Sequence, residues 1–84
     1  MKYNCYSIRD SKCDFHIPTF AMNDASASRD FAMYVNTPDN LISSFPADFS
    51  LYRIGSFDSS TGIFTPEALP CLIVSASSLV TVKE

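Results

Sequence analysis

Apolar positions along this chain recur with two periods, and the periods divide it into elements. Ala27, Phe31, Tyr34 and Val35 fall at i, i+4, i+7 and i+8, the spacing of one helix face, while Ser26, Arg29, Asp30 and Met33 take most of the other. Asn23 suits the N-cap, because its side-chain oxygen can accept a free N–H of the first turn. Asp24 sits where the positive end of the helix dipole favours a carboxylate. Asn36-Thr37-Pro38 stops the helix, since the residue before a proline is pushed out of the α region. The spacing therefore predicts a main helix over Asn23–Asn36 with Phe31 in the core.

Elsewhere the period is closer to two. Tyr3–Arg9 carries Tyr, Cys, Tyr and Ile without a breaker and predicts a strand. Asp10-Ser11-Lys12 is its turn. Cys13–Ile17 reads as a short return strand ended by Pro18, which has no N–H to give a ladder. Thr19–Met22 then connects to the helix and buries Phe20. Beyond the helix, Asp39–Ser44 starts either a second short helix capped by Asp39 or a turn, with Leu41, Ile42 and Phe45 on the inner side.

The longest strand is Phe49–Phe57. Alternation puts Phe49, Leu51, Arg53 and Phe57 on one face and Tyr52 and Ile54 on the other. Both faces are partly apolar, so the strand is either covered on both sides or uses its second face as an interface. Gly55 marks a bulge or a close backbone approach. Asp58–Gly62 is a hairpin turn, with Gly62 able to supply positive φ. Ile63–Thr65 returns, and Pro66 ends it. Cys71–Ser75, after Pro70, reads as a final strand, and Ser77–Glu84 as one more strand or a frayed tail. The two turns echo each other: Asp10-Ser11 is followed by Phe15 and Pro18, and Asp58-Ser59 by Ile63 and Pro66, at the same spacing.

Together these elements predict a single α+β domain over residues 1–84, with a flexible tail over 77–84. Its antiparallel sheet has about four or five strands, two β-hairpins plus a C-terminal strand, packed against one main α-helix.

Composition changes the picture in two places. At 84 residues the chain buries only about 60–65% of its unfolded surface, yet 46% of it is hydrophobic, with seven Phe and four Tyr. Some of that apolar surface is expected in a homo-oligomer interface. The net charge is −3, and Lys2, Arg9, Lys12, Arg29, Arg53 and Lys83 are scattered with no two adjacent. That disfavours tight sequence-independent nucleic-acid binding, which needs a basic patch. No secretory signal is expected in MKYNCYSIRD, and the longest apolar stretch, Cys71–Val74, is too short for a membrane span. Cys5, Cys13 and Cys71 are an odd number and match no disulfide framework, which points to a reducing cytosol.

Candidate chemistry is sparse. Cys13 and His16 form C-x-x-H, half of a zinc site by spacing, but Cys5 and Cys71 lack the paired spacing that would complete it. Both are expected as small buried strand residues. With one histidine, three residues from Cys13 on a strand, a Cys/His catalytic pair would point to opposite faces. Two glycines make no phosphate loop. No enzyme activity, cofactor or metal is therefore expected. Tyr3, Tyr6, Tyr52 and Phe57 with Arg9 and Arg53 offer a sheet face able to stack unpaired bases, or to anchor a protein partner. Arg9, Lys12, Tyr52 and Arg53 are the candidate contact residues.

The opening MKYNCYSIRDSKCDF, the middle NDASASRDFA and the block FPADFSLYRIGSFDSSTGIFTP resemble the small nonstructural protein of gokushovirus-type Microviridae, tailless phages with single-stranded circular DNA. The matching positions are Met1, Lys2, Tyr6, Ser7, Ile8, Arg9 and Asp10, then Pro46, Asp48, Phe49, Leu51, Tyr52, Ile54, Gly55, Phe57, Asp58, Thr61 and Gly62. The resemblance runs to about Pro70 and is most specific in Leu51–Gly62. It implies a protein of the host bacterial cytoplasm that is absent from the mature virion. It further implies work in single-stranded DNA replication or packaging, on the DNA itself or on the replication complex. The alternative is a protein-binding module that modulates a host factor or capsid assembly without touching nucleic acid. The resemblance brings no catalytic or ligand residues.

Overall fold

A computed structural model describes residues 1–81. Four strands form one antiparallel sheet: β1 (Lys2–Asp10), β2 (Thr19–Ala21), β3 (Phe49–Asp58) and β4 (Ile63–Ser75), in the order β2-β1-β3-β4. The main helix α1 (Asp24–Asn36) lies between β2 and β3 in sequence, followed by a one-turn helix α2 (Leu41–Ser44). Short 3-10 turns at Pro46–Asp48 and Ala76–Leu79 flank β3 and β4. The fold is thus α+β, a four-stranded antiparallel sheet with one main helix.

The helix starts and stops for the reasons its sequence gives. Asn23 has extended backbone and its Oδ1 accepts the Ser26 N–H at 2.8 Å, and Thr37 leaves the helix in the extended region before Pro38. Ala27, Phe31 and Val35 are buried against Tyr6, Phe49, Leu51 and Ala76, with Ile8, Ile42, Ile73, Val74 and Leu79 packed around them. Tyr34, expected on the same face, is exposed. The helix covers only part of the sheet, and Tyr34 falls over the gap beside β2.

Several expected elements differ. Cys13–Ile17 contributes only an isolated bridge, Phe15 to Arg9, and the paired return strand is Thr19–Ala21, beyond Pro18. The proline at 18 interrupts the strand rather than ending it, because the run lies on the sheet edge. Phe20 is therefore a strand residue and exposed, not a buried connector. Asn40, not Asp39, caps α2, accepting the Ser43 N–H at 2.9 Å, while Asp39 takes φ 66 in the turn before it. Leu41 and Phe45 are exposed, and only Ile42 reaches the core.

Pro66 and Pro70 do not divide the last strand. Both lie inside β4, an edge strand, where a missing N–H is tolerated. Residues 67–70 bulge out between the pairs Gly55–Pro66 and Arg53–Cys71. Cys71 is exposed, contrary to expectation, while Cys5 is buried. Ala76–Leu79 is a 3-10 turn rather than a strand, with Ala76 fully buried, and the rest of the expected tail, 82–84, lies outside the described residues.

The echo between the two turns is structural. Asp10 Oδ1 accepts the Lys12 N–H at 2.9 Å, and Asp58 Oδ1 accepts the Ser60 N–H at 3.0 Å. Each aspartate closes its turn with its own carboxylate. Gly62 completes the second with φ 75.

Candidate functional site

Residues paired directly across an antiparallel sheet project to the same side, so the register assigns its two faces. One face carries Tyr6 with Arg53, and Ile8 with Leu51 and Val74. This is the face under α1. The other carries Cys5 with Phe20 and Gly55, Ser7 with Tyr52 and Leu72, and Tyr3 with Phe57 and Phe64. None of these latter side chains joins the core cluster to which the helices contribute; Cys5 and Ser7 are buried beneath their larger neighbours, while Phe20, Phe64 and Leu72 are exposed and leave this face open around them.

A bulge decides which residues face which way. Tyr6 pairs with Arg53 and Cys5 with Gly55, which leaves Ile54 without a partner on β1. The extra residue moves everything beyond it to the opposite side. Phe57 therefore leaves the face of Phe49, Leu51 and Arg53, where alternation had placed it, for the open face. Gly55 is required there as well as permitted. A Cβ at this position would sit 2.5 Å from Phe64 Cζ and 2.8 Å from the Thr65 carbonyl oxygen.

On the covered face a polar chain ties four elements together. Asn4 Nδ2 donates to the Tyr6 hydroxyl at 3.1 Å, and that hydroxyl donates to Asp24 Oδ1 at 2.6 Å. Arg53 donates from Nη1 to Asp24 Oδ2 at 2.7 Å and from Nε to Glu67 Oε2 at 2.9 Å. One guanidinium thus joins β3 to the first turn of α1 and to the β4 bulge, and Asp24 carries the chain on to β1. Burial, with the hydrogen bond to Asp24, pushes the Tyr6 phenol up to about 12. The Tyr6 hydroxyl and Arg53 hold the Asp24 carboxyl below the usual carboxylate range. Glu67 and Asp24 raise Arg53 further above its ordinary value. Every partner here is internal, so the arrangement fastens the fold and offers no free base or nucleophile.

The open face is aromatic. Phe15 and Tyr52 meet edge to face at 5.5 Å, and Phe20 and Phe57 at 6.2 Å. Phe64, Phe20 and Leu72 are 44%, 55% and 56% exposed. Its paired positions hold no Asp or Glu, and Arg9, paired with Ser50, is their single cation. Asp10, Asp58 and Arg53's two carboxylate partners belong to the other side.

A second apolar surface lies beside α1. It is a groove of about 580 Å³ between the helix and residues 16–21, lined by Ile17, Phe20, Phe31, Met33 and Tyr34, with His16 and Asp30. The His16 ring lies edge-on to Phe49 at 5.9 Å, and Cys13 is exposed. Among the described residues no three His, Cys, Asp or Glu side chains converge.

Comparison with known families supplies the setting. The model of the Phage ORF5 protein family matches residues 3–79. The chain belongs to that family. No curated protein and no solved structure gave a significant match. Among the described residues of this ORF5-family protein no helix is long and apolar enough to cross a membrane.

Its four sequence-predicted contact residues do not form one site. Arg9 and Tyr52 share the open face. Lys12 sits in the β1 turn and lines a shallow hollow of about 220 Å³ with Leu41, Phe45 and Phe49. Arg53 is held by two carboxylates on the covered face. Sequence reasoning missed Phe15, Phe20, Phe64 and Leu72 as open-face residues, because their orientation depends on which strand positions they pair with. It also missed Asp24 and Glu67 as partners of Arg53. The 14-residue separation of Arg53 and Glu67 gave no signal, since it depends on the bulge at 67–70.

Proposed function

We propose that this ORF5-family protein is a non-enzymatic accessory protein of a single-stranded DNA phage of the gokushovirus type. It works in the host cytoplasm, during genome replication or packaging, by contacting a protein partner, and it is left out of the mature virion. The phage setting rests on family membership, and the finer one on the Leu51–Gly62 block with its gokushovirus resemblance. One observation carries the protein-contact reading. The surfaces left open are apolar and nearly uncharged, while Arg53 is already neutralised inside the fold. Large apolar patches with few charges mark protein contacts rather than phosphate contacts. The test is affinity capture from phage-infected cells with nuclease treatment. A specific phage or host replication or packaging protein should be retained, and recovery that vanishes with nuclease would refute the reading.

A second reading, contact with single-stranded DNA, is favoured by one feature. The open face has aromatic rings and Arg9 without a carboxylate among its paired positions, the chemistry on which bases stack. Fluorescence titration with an oligonucleotide at two salt concentrations separates the two. Binding that weakens with salt and in Arg9→Ala or Tyr52→Ala supports the DNA reading; no binding at low salt ends it.

A further inference from the structure

The open face of the sheet needs an occupant. Three long strands about 30 Å in length and about 4.8 Å apart, with the three-residue β2 beside them, present roughly 480 Å². The face is rich in aromatic rings and poor in charge, the composition of an interface core. The edges of the same sheet are guarded. β4 carries Pro66, Pro70 and the 67–70 bulge, and β2 is only three residues long with Pro18 before it. Such devices block strand-to-strand association, so the sheet is closed at its edges and exposed on one face.

We propose that this face packs against the same face of a second copy of the chain, with the strands of the two sheets running in opposite senses. The proposal rests on the protein-contact reading and assigns one of its two apolar surfaces, leaving the groove beside α1 for other partners. Two faces would bury about 960 Å² in total, the size of a weak, reversible interface and above most crystal contacts. Charge sets the orientation. Arg9 lies at one end of the face, and Tyr3, Phe57 and Phe64 lie at the other, six residues along β1 and about 20 Å away. Opposed strands place each Arg9 over the partner's aromatic end, a cation–π arrangement. Strands in the same sense would bring the two arginines together. A two-fold axis makes both contacts at once.

The experiment is sedimentation of the full chain across the micromolar range. A reversible dimer, twice the 9.3 kDa chain, is expected. Leu72→Lys should weaken it at least about tenfold, with circular dichroism confirming the fold. Phe15→Lys, on the segment that bridges Arg9 and packs on Tyr52, repeats the test should the first variant unfold. Met33→Lys, on α1, should leave the dimer unchanged. Arg9→Ala should weaken it about two- to tenfold, whereas tightening or no change would overturn the orientation. A monomeric wild type overturns the dimer, as does a dimer broken by Met33→Lys and not by Leu72→Lys. An oligonucleotide bound by monomeric protein and blocked by Leu72→Lys would give the face to single-stranded DNA instead. The failures are distinguishable. A monomer that still captures a phage protein keeps the protein-contact reading, and a dimer that captures nothing refutes that reading alone.

Discussion

The two faces of this sheet are built from the same alternating strands and treat their aromatic residues in opposite ways. Under α1, Tyr6 and Phe49 are 1% exposed, and the Tyr6 hydroxyl is satisfied by Asn4 and Asp24. On the other side, Phe15 with Tyr52 and Phe20 with Phe57 meet edge to face, and none of the four joins the core cluster. The covered face collects the carboxylates that hold Arg53, and the open face has none at its paired positions. Aromatic content alone therefore does not distinguish core from interface here. What distinguishes them is whether polar partners were placed alongside the rings. Such partners stabilise a folded monomer, whereas a face without them is suited to meet another apolar surface.

The contrast predicts unequal costs. Phe31→Ala, which opens a cavity beneath the helix, should destabilise by about 3–5 kcal/mol in urea unfolding. Leu72→Lys, measured at dilutions where the chain is monomeric, should change stability by no more than about 0.5 kcal/mol. Comparable losses at both sites would mean that the open face is core after all. Gly55→Ala comes next in size. Its new methyl would meet a backbone carbonyl that cannot step aside, so overpacking should cost about 1–3 kcal/mol. A neutral result would show that the bulge shifts easily, and the assignment of Phe57 to the open face would weaken with it.

Tyr6→Phe tests the fastening on the covered face. Losing one buried hydroxyl that bonds a carboxylate should cost about 1–2 kcal/mol at neutral pH. The same group shapes the alkaline limb. Its folded pKa, pushed up to about 12, lies above the unfolded value near 10. Its contribution is therefore fully present below the unfolded value and is lost as pH rises towards the folded one. The buried Cys5 thiol, also pushed up, adds an earlier loss. Tyr6→Phe should flatten the upper part of this limb and leave the lower part.

Much of the covered face was legible from residue spacing. Asn23, Ala27, Phe31, Val35 and Pro38 fix the helix by local rules, and local rules need no tertiary knowledge. The first and third strands were legible for the same reason, as was the turn at Asp58–Gly62. The open face was not. Its membership depends on two places where a strand carries one extra residue, at Ile54 and at Ile73. Each extra residue reverses the alternation beyond it, and nothing in composition marks where that happens. Gly55 came nearest, because a glycine within an apolar strand signals a bulge. The separation of Tyr52 from Arg53 onto opposite faces follows from adjacency alone, and it is why the expected contact residues could not converge.

The smallest effect expected is the acid limb of stability, and it bears on what Asp24 does. Its carboxyl is held low by the Tyr6 hydroxyl and by Arg53. A depressed carboxyl contributes stability above its unfolded pKa, near 4, and loses it as pH falls through the folded value. Asp24 has 42% of its side chain exposed, so solvent screening should keep this part below about 1 kcal/mol. Asp58, held low by Ser60, acts in the same direction from a half-buried position in its turn. Urea midpoints of wild type and Asp24→Asn between pH 2 and 6 should therefore converge towards the acid end, the wild type falling more steeply. Parallel curves would mean that Asp24 gains nothing from its charge and only positions Tyr6 and Arg53. In that case the covered face would be held by packing alone, and its difference from the open face would reduce to the presence of a helix.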